Sequence, residues 1–205
     1  MGDWLRKMIR NLKGLIGLLS QCAQDTNRIS PQTGPGYYAF FLKKGVELPQ
    51  PFEVNEIRTL YVGIADTGGL YQRIHKNHLF SYNSSESSFR RSIGAILKDQ
   101  LGLIAFPRSK KTEVIDKDLD QFRFINGGEE RLTDWILENT RISAIEYNQK
   151  LGLLEWELIA SLRPILNSNK WRNPLRNPFK WKLQELKEIC RNEAEFNHKR
   201  KFSRI

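Results

Sequence analysis

The chain of 205 residues is poor in cysteine, holding only Cys22 and Cys190. One pair at most supports neither a disulfide framework nor, unaided, a structural zinc site. Long apolar runs are also missing: no uninterrupted stretch reaches the roughly 20 residues of a bilayer-crossing helix. These absences argue against an integral helical membrane protein and against a disulfide-stapled secreted domain. No secretory leader is expected either, since residues 1–13 are basic but the apolar run at 14–19 is short for one. Gln21 precedes Cys22 where a lipoprotein cleavage site wants a small residue, and Arg6 stands where a myristoylation signal wants Ser or Thr. The expectation is a cytoplasmic protein with no membrane association. Acidic residues are scarce too: Asp+Glu 23 face Lys+Arg 33, a formal net charge of +10. Such a balance attracts nucleic acid, anionic lipid or acidic proteins, in each case with strong salt screening.

What is present suffices for a core. Hydrophobic residues make up 40% and aromatics 11% of the chain, which excludes wholesale disorder. Trp4, Leu5, Met8, Ile9, Leu12, Leu15, Ile16 and Leu19 recur at helical spacing, with Asp3 as N-cap and Arg6, Lys7, Arg10 and Lys13 on the other face. Such a helix packs on the main domain, on a second copy of the chain or on a protein partner; a membrane-surface helix is the alternative. Gly34-Pro35-Gly36 breaks the chain. Residues 37–42 and 59–64 then read as strands, and 70–79 and 89–101 as helices. A charged loop is expected over 106–120, a short strand over 121–125, a helix over 129–139 and a strand over 141–147. The helix at 151–162 is stopped by Pro164. An Arg-Asn-Pro triplet occurs twice, at 172–174 and 176–178, before a last helix at 179–196 and a basic tail. The expected division is an N-terminal helix and linker (1–30), a main domain (31–168) and a basic, aromatic C-terminal extension (169–205).

Gly36-Tyr37-Tyr38 lies on the first strand and Tyr61-Val62-Gly63 on the second, with Arg73 on the helix that follows. Much later comes Glu155, in a helix carrying Leu158, Ile159 and Leu162 and followed by Pro164 and Asn167. This ordered set resembles the GIY-YIG nuclease superfamily over roughly residues 36–167. Tyr37 takes the place of the usual Ile, Tyr61-Val62-Gly63 is a common variant of the second motif, and the segment from Gly63 to Arg73 is slightly longer than in compact members.

The resemblance implies an α+β fold, with a small central mixed β-sheet flanked by helices and extended by helices at both ends. It also implies a metal-dependent DNA endonuclease. Glu155 would hold one divalent cation, Mg²⁺ or Mn²⁺, that neutralises the leaving side. Arg73 would grip the phosphate through its paired donors. Tyr38 would orient or deprotonate the attacking water, with Tyr61 as its hydrogen-bonding neighbour. Alternation along strands allows both hydroxyls to lie on one face. Family members carry a functional His about one turn after the Arg. Here that offset belongs to Asn77, leaving His75 and His78 as candidates and His78 the preferred one. Asn167 either caps its helix end or contacts phosphate.

Further DNA contacts are expected from Arg90 and Arg91, and from Arg172, Arg176 and Lys180 among the tryptophans at 171 and 181. Without the family, Tyr38 and Tyr61 are core strand aromatics, and Glu155, Arg90 and Arg91 are ordinary solvated residues. Two other readings compete with the endonuclease. One is a nucleic-acid-binding module that kept the fold and lost the reaction. The other is a subunit of a larger DNA-processing or defence complex, docked through the N-terminal helix.

Overall fold

The computed structural model describes residues 3–29, 33–147, 152–167 and 177–202, with the backbone alone for 3–11 and 153. The fold is built round β2 (Gly36–Leu42), whose sequence Gly-Tyr-Tyr-Ala-Phe-Phe-Leu has no polar face and is buried at every position. A strand with that composition has to be covered on both sides. It is flanked by β3 (Thr59–Ala65) and β6 (Thr140–Glu146), and β1 (Gln24–Asp25) completes the order β1-β6-β2-β3. The α+β class implied by the sequence is present. Among the described residues every ladder of the sheet is antiparallel, where a mixed sheet was expected.

Alternation sorts the β2 side chains between two cores. Tyr38, Phe40 and Leu42 face the larger one, where α2 (Gly69–Tyr71), α3 (Ser88–Ile96), α5 (Gly128–Asn139) and α7 (Lys180–Phe202) contribute Leu70, Ile93, Ile136 and Leu183. Tyr37, Ala39 and Phe41 face the smaller one. There α1 (Asp3–Gln21) brings Leu15 and Leu19, and α6 (Gly152–Leu162) brings Leu154, Leu158 and Leu162. Leu19 is fully buried, a burial that stabilises by about 2 kcal/mol. The last turns of α1, through Leu15 and Leu19, are thus packed within their own chain.

The segment after α3 holds more structure than a loop. A separate two-stranded sheet pairs β4 (Ile104–Phe106) with β5 (Arg123–Ile125), and α4 (Asp116–Asp120) lies between them. The free edge of β4 is closed by α7. Glu193 accepts from the Ala105 N–H at 2.7 Å, and Asn197, one turn on, donates to the Ala105 carbonyl at 3.0 Å. The outer edge of β3 is closed by the chain leaving α6. Leu166 N–H donates to the Leu60 carbonyl at 2.9 Å. The Asn167 amide then takes both Val62 backbone groups, at 2.9 and 2.8 Å. Unpaired strand edges invite aggregation, and these side chains remove two of them. Among the described residues no helix is long and apolar enough to cross a membrane.

Candidate active site

Register puts the two motif tyrosines together. Tyr38 pairs with Gly63, and Phe40 with Tyr61, so both phenols stand on the face of the larger core. Their ring centroids are 6.2 Å apart at 33°. Gly63 is required by this packing, because a Cβ there would run into the Tyr38 ring and hydroxyl. Gly69 is required by the next turn. It adopts φ +71° and sits against the Thr33 carbonyl, a left-handed, crowded position suited to glycine.

After α2 the helix widens. Residues Gln72–Leu79 form a π-helix, and Phe80 N–H reaches back five residues to the His75 carbonyl at 2.8 Å. Bonds of that span place residues i and i+5 one above the other, where an α-helix would stack i and i+4. His78, five residues after Arg73, therefore shares its face, and Asn77 does not take that place. Arg73 Nε donates to the Tyr38 oxygen at 3.3 Å, and His78 Nε2 lies 2.8 Å from the same oxygen. On its far side His78 Nδ1 lies 2.7 Å from Ser87 Oγ. Phe40 and Phe89, stacked on each other at 4.1 Å, each stand nearly perpendicular to the imidazole. His75 points elsewhere, stacked between the partly exposed rings of Tyr71 and Phe80.

Burial sets the charge states. Burial pushes the Tyr38 phenol well above its ordinary value, and Tyr61 adds to this, while Arg73 opposes it. Burial holds His78 well below its ordinary 6.5, assisted by the charges of Arg73 and Arg90, so the ring is neutral. For Arg73, burial pulls down but Tyr38 and Tyr61 more than offset it. Tyr61 is half-buried, reaches solvent, and lies 3.2 Å from Ser88 Oγ at the first residue of α3. Arg91 neighbours it electrostatically and is pinned by the Ser84 and Ser85 carbonyls at 3.0 and 2.6 Å; burial lowers its pKa.

Arg90 occupies a different role from the DNA contact expected of it. It is fully buried, paired with Glu129 at 2.7 Å and bonded to Thr133 Oγ1 and to the carbonyls of His78 and Glu129. Glu129 in turn accepts from Ser84 and Phe124 N–H groups. This network welds the end of the π-helix to α5, and losing one partner of such a pair costs about 3–5 kcal/mol.

The structure brings Tyr38, Tyr61, Arg73 and His78 into one cluster. Glu155 is buried in the first turn of α6, on the smaller-core face, where its charge acts on Tyr37. Burial pushes the Tyr37 phenol up, and the neighbouring Tyr147 and then Glu155 add to the rise. The sheet therefore separates the carboxylate from the cluster, and the four side chains expected to meet round one ion are not gathered on one face. Asn167 is committed to the β3 edge, and Lys180 opens α7, half-buried. Arg172 and Arg176 lie outside the described residues. Ser87 and Ser88 were not legible as site residues; the one available signal was the polar, cap-rich run 83–88 before a helix.

GIY-YIG nucleases generally depend on a divalent metal. Among the described residues no three His, Cys, Asp or Glu side chains gather as a metal cluster. A buried carboxylate such as that of Glu155 is the kind of donor taken by Mg²⁺ or Mn²⁺, hard cations that keep several waters and use one or two carboxylates. No curated protein and no solved structure matches the chain significantly. The sequence model of the GIY-YIG catalytic domain matches residues 36–189. That match starts at β2 and runs well into α7, and with it the chain belongs to the GIY-YIG catalytic domain family.

Proposed function

We propose that the protein is a metal-dependent DNA endonuclease that hydrolyses a phosphodiester bond with a tyrosine-activated water. The observation that carries this reading is the Tyr38 hydroxyl, buried and held by Arg73 and His78, with Tyr61 beside it at the solvent margin. Exposure divides the labour between the phenols. Tyr38 is enclosed and keeps its proton, so it serves as the anchor that aims Arg73. Tyr61, with Arg73 and Arg91 as neighbours, is the phenol that meets the water and draws its proton. Arg73 grips the phosphoryl oxygens, where preorganised charge contributes most. Glu155 would hold the divalent cation, which when bound supplies positive charge to the leaving oxygen. Arg91 and the formal charge of +10 favour a polyanionic substrate.

The test is nicking of supercoiled plasmid with Mg²⁺ or Mn²⁺ by wild type, Arg73→Ala and Glu155→Ala. The reading predicts metal-dependent nicking that falls by about a hundredfold or more in each variant. Cleavage that survives chelation, or that neither variant reduces, rejects it. A second reading, a binding module without chemistry, draws on the seat of Glu155 on the opposite sheet face from Tyr38. Salt-sensitive DNA binding with no cleavage of linear, branched or modified DNA selects that reading.

A further inference from the structure

Ser87 is engaged twice. Its Oγ accepts the Arg90 N–H at 3.0 Å, capping α3, and lies 2.7 Å from His78 Nδ1. The residue is fully buried. A hydroxyl has one hydrogen to give and two lone pairs. Arg90 takes one lone pair, and buried polar hydrogens are placed on acceptors. His78 Nδ1 is the acceptor within reach. If the Ser87 hydrogen goes to Nδ1, the single proton of the neutral ring sits on Nε2, facing the Tyr38 oxygen at 2.8 Å.

We propose that Ser87 is a positioning residue that holds His78 in the Nε2–H tautomer, so that the Tyr38 oxygen receives two N–H donors and turns its own hydrogen toward Tyr61. The two donors are His78 Nε2–H and Arg73 Nε–H. Hydrogens then run in one direction, from Ser87 to His78 to Tyr38, and end on the phenol at the solvent margin. Tyr61 stands on the same face to receive the Tyr38 hydrogen, its ring centroid 6.2 Å from that of Tyr38. In the opposite tautomer Tyr38 would give its hydrogen to a bare Nε2, and His78 would be a proton acceptor. An imidazolium at that position is opposed by burial and by the charges of Arg73 and Arg90. The functional consequence of this tautomer rests on Tyr61 being the phenol that meets the water.

The tautomer is read directly by two-bond ¹H–¹⁵N correlations on the full-length chain, whose three histidines give a sparse spectrum. Wild type is expected to show His78 as Nε2–H. Ser87→Asp keeps an N-cap acceptor for α3 but has no hydrogen to give when ionised. It is expected to abolish the Nε2–H form and to slow cleavage by about tenfold or more, with helical content unchanged. Ser87→Thr returns a hydroxyl and is expected to return the Nε2–H signal. A wild-type spectrum showing Nδ1–H, or an Asp variant still showing Nε2–H, overturns the proposal. The spectrum needs no DNA, so a wild type with the Nε2–H signature that cleaves nothing supports the tautomer and removes the nuclease reading instead.

Discussion

Tyr38 and Tyr61 carry the same phenol into different surroundings, and His78 shows what such surroundings do to stability. Its ring is buried among Tyr38, Ser87, Phe40 and Phe89 with Arg73 and Arg90 nearby. Its folded pKa lies below the ordinary 6.5, so the unfolded chain binds a proton first as pH falls. The neutral ring therefore contributes stability that is complete above about pH 6.5 and lost progressively below it. His75 is lowered by burial in the same sense. Melting temperature is expected to fall by several degrees between pH 7.5 and 5.5, and His78→Gln is expected to flatten that fall. A wild-type melting temperature that does not change over this range would contradict the assignment. Residue types at this scale were legible in sequence: the motifs name Tyr38, Tyr61 and Arg73. Which phenol is enclosed was not, because that depends on Phe89 and His78, brought in by other elements. Arg90 was misleading for a similar reason. Its acid, Glu129, lies 39 residues away, and no local pattern marks a buried arginine.

The element that matters most is the π-helix. Hydrophobic spacing announces a helix over 70–79 but does not announce its pitch, and an α-helical reading puts Asn77 where His78 stands. Five residues from Arg73 to His78 were the available clue. Removing one exposed residue between them would turn the five-residue offset into four, the spacing that an ordinary α-helix stacks. Deletion of Lys76, an exposed position, is thus expected to yield an α-helix with Arg73 and His78 still aligned. Its melting temperature should stay within about 5 °C of wild type. A loss as large as that of His78→Ala would show that the wide turn itself is needed. Long strands and helices were read from sequence to within a few residues, save that α3 stops five residues early at Ile96 and α7 runs six further to Phe202. The β4–β5 pair was half missed, since a three-residue strand beside a charged run leaves almost no periodic signal, and what fixes it is the closure of its edge by Glu193 and Asn197.

Across the whole molecule, positive charge and the shape of the sheet have to act together. The phenol–guanidinium cluster and Glu155 lie on opposite faces of the sheet, and the net charge of +10 favours the polyanionic partner proposed. DNA binding is then expected to weaken steeply with salt, with log K falling against log [salt] by about 0.9 for each phosphate contacted. Arg91→Ala should lower that slope by about one contact. A slope near zero would remove DNA as the partner. Family and fold class were legible at this scale, because order and spacing of motifs survive in the letters. The seat of Glu155 across the sheet from the cluster was not, since it arises from α6 docking on Tyr37, Ala39 and Phe41.

The central claim is that a water is activated at Tyr61, beside a guanidinium aimed by Tyr38. Single-turnover cleavage of duplex DNA by wild type and Tyr61→Phe, with DNA affinity measured on the same samples, addresses it most directly. The account predicts a rate lower by about a hundredfold or more in Tyr61→Phe, with affinity unchanged. Cleavage by Tyr61→Phe at the wild-type rate would contradict it.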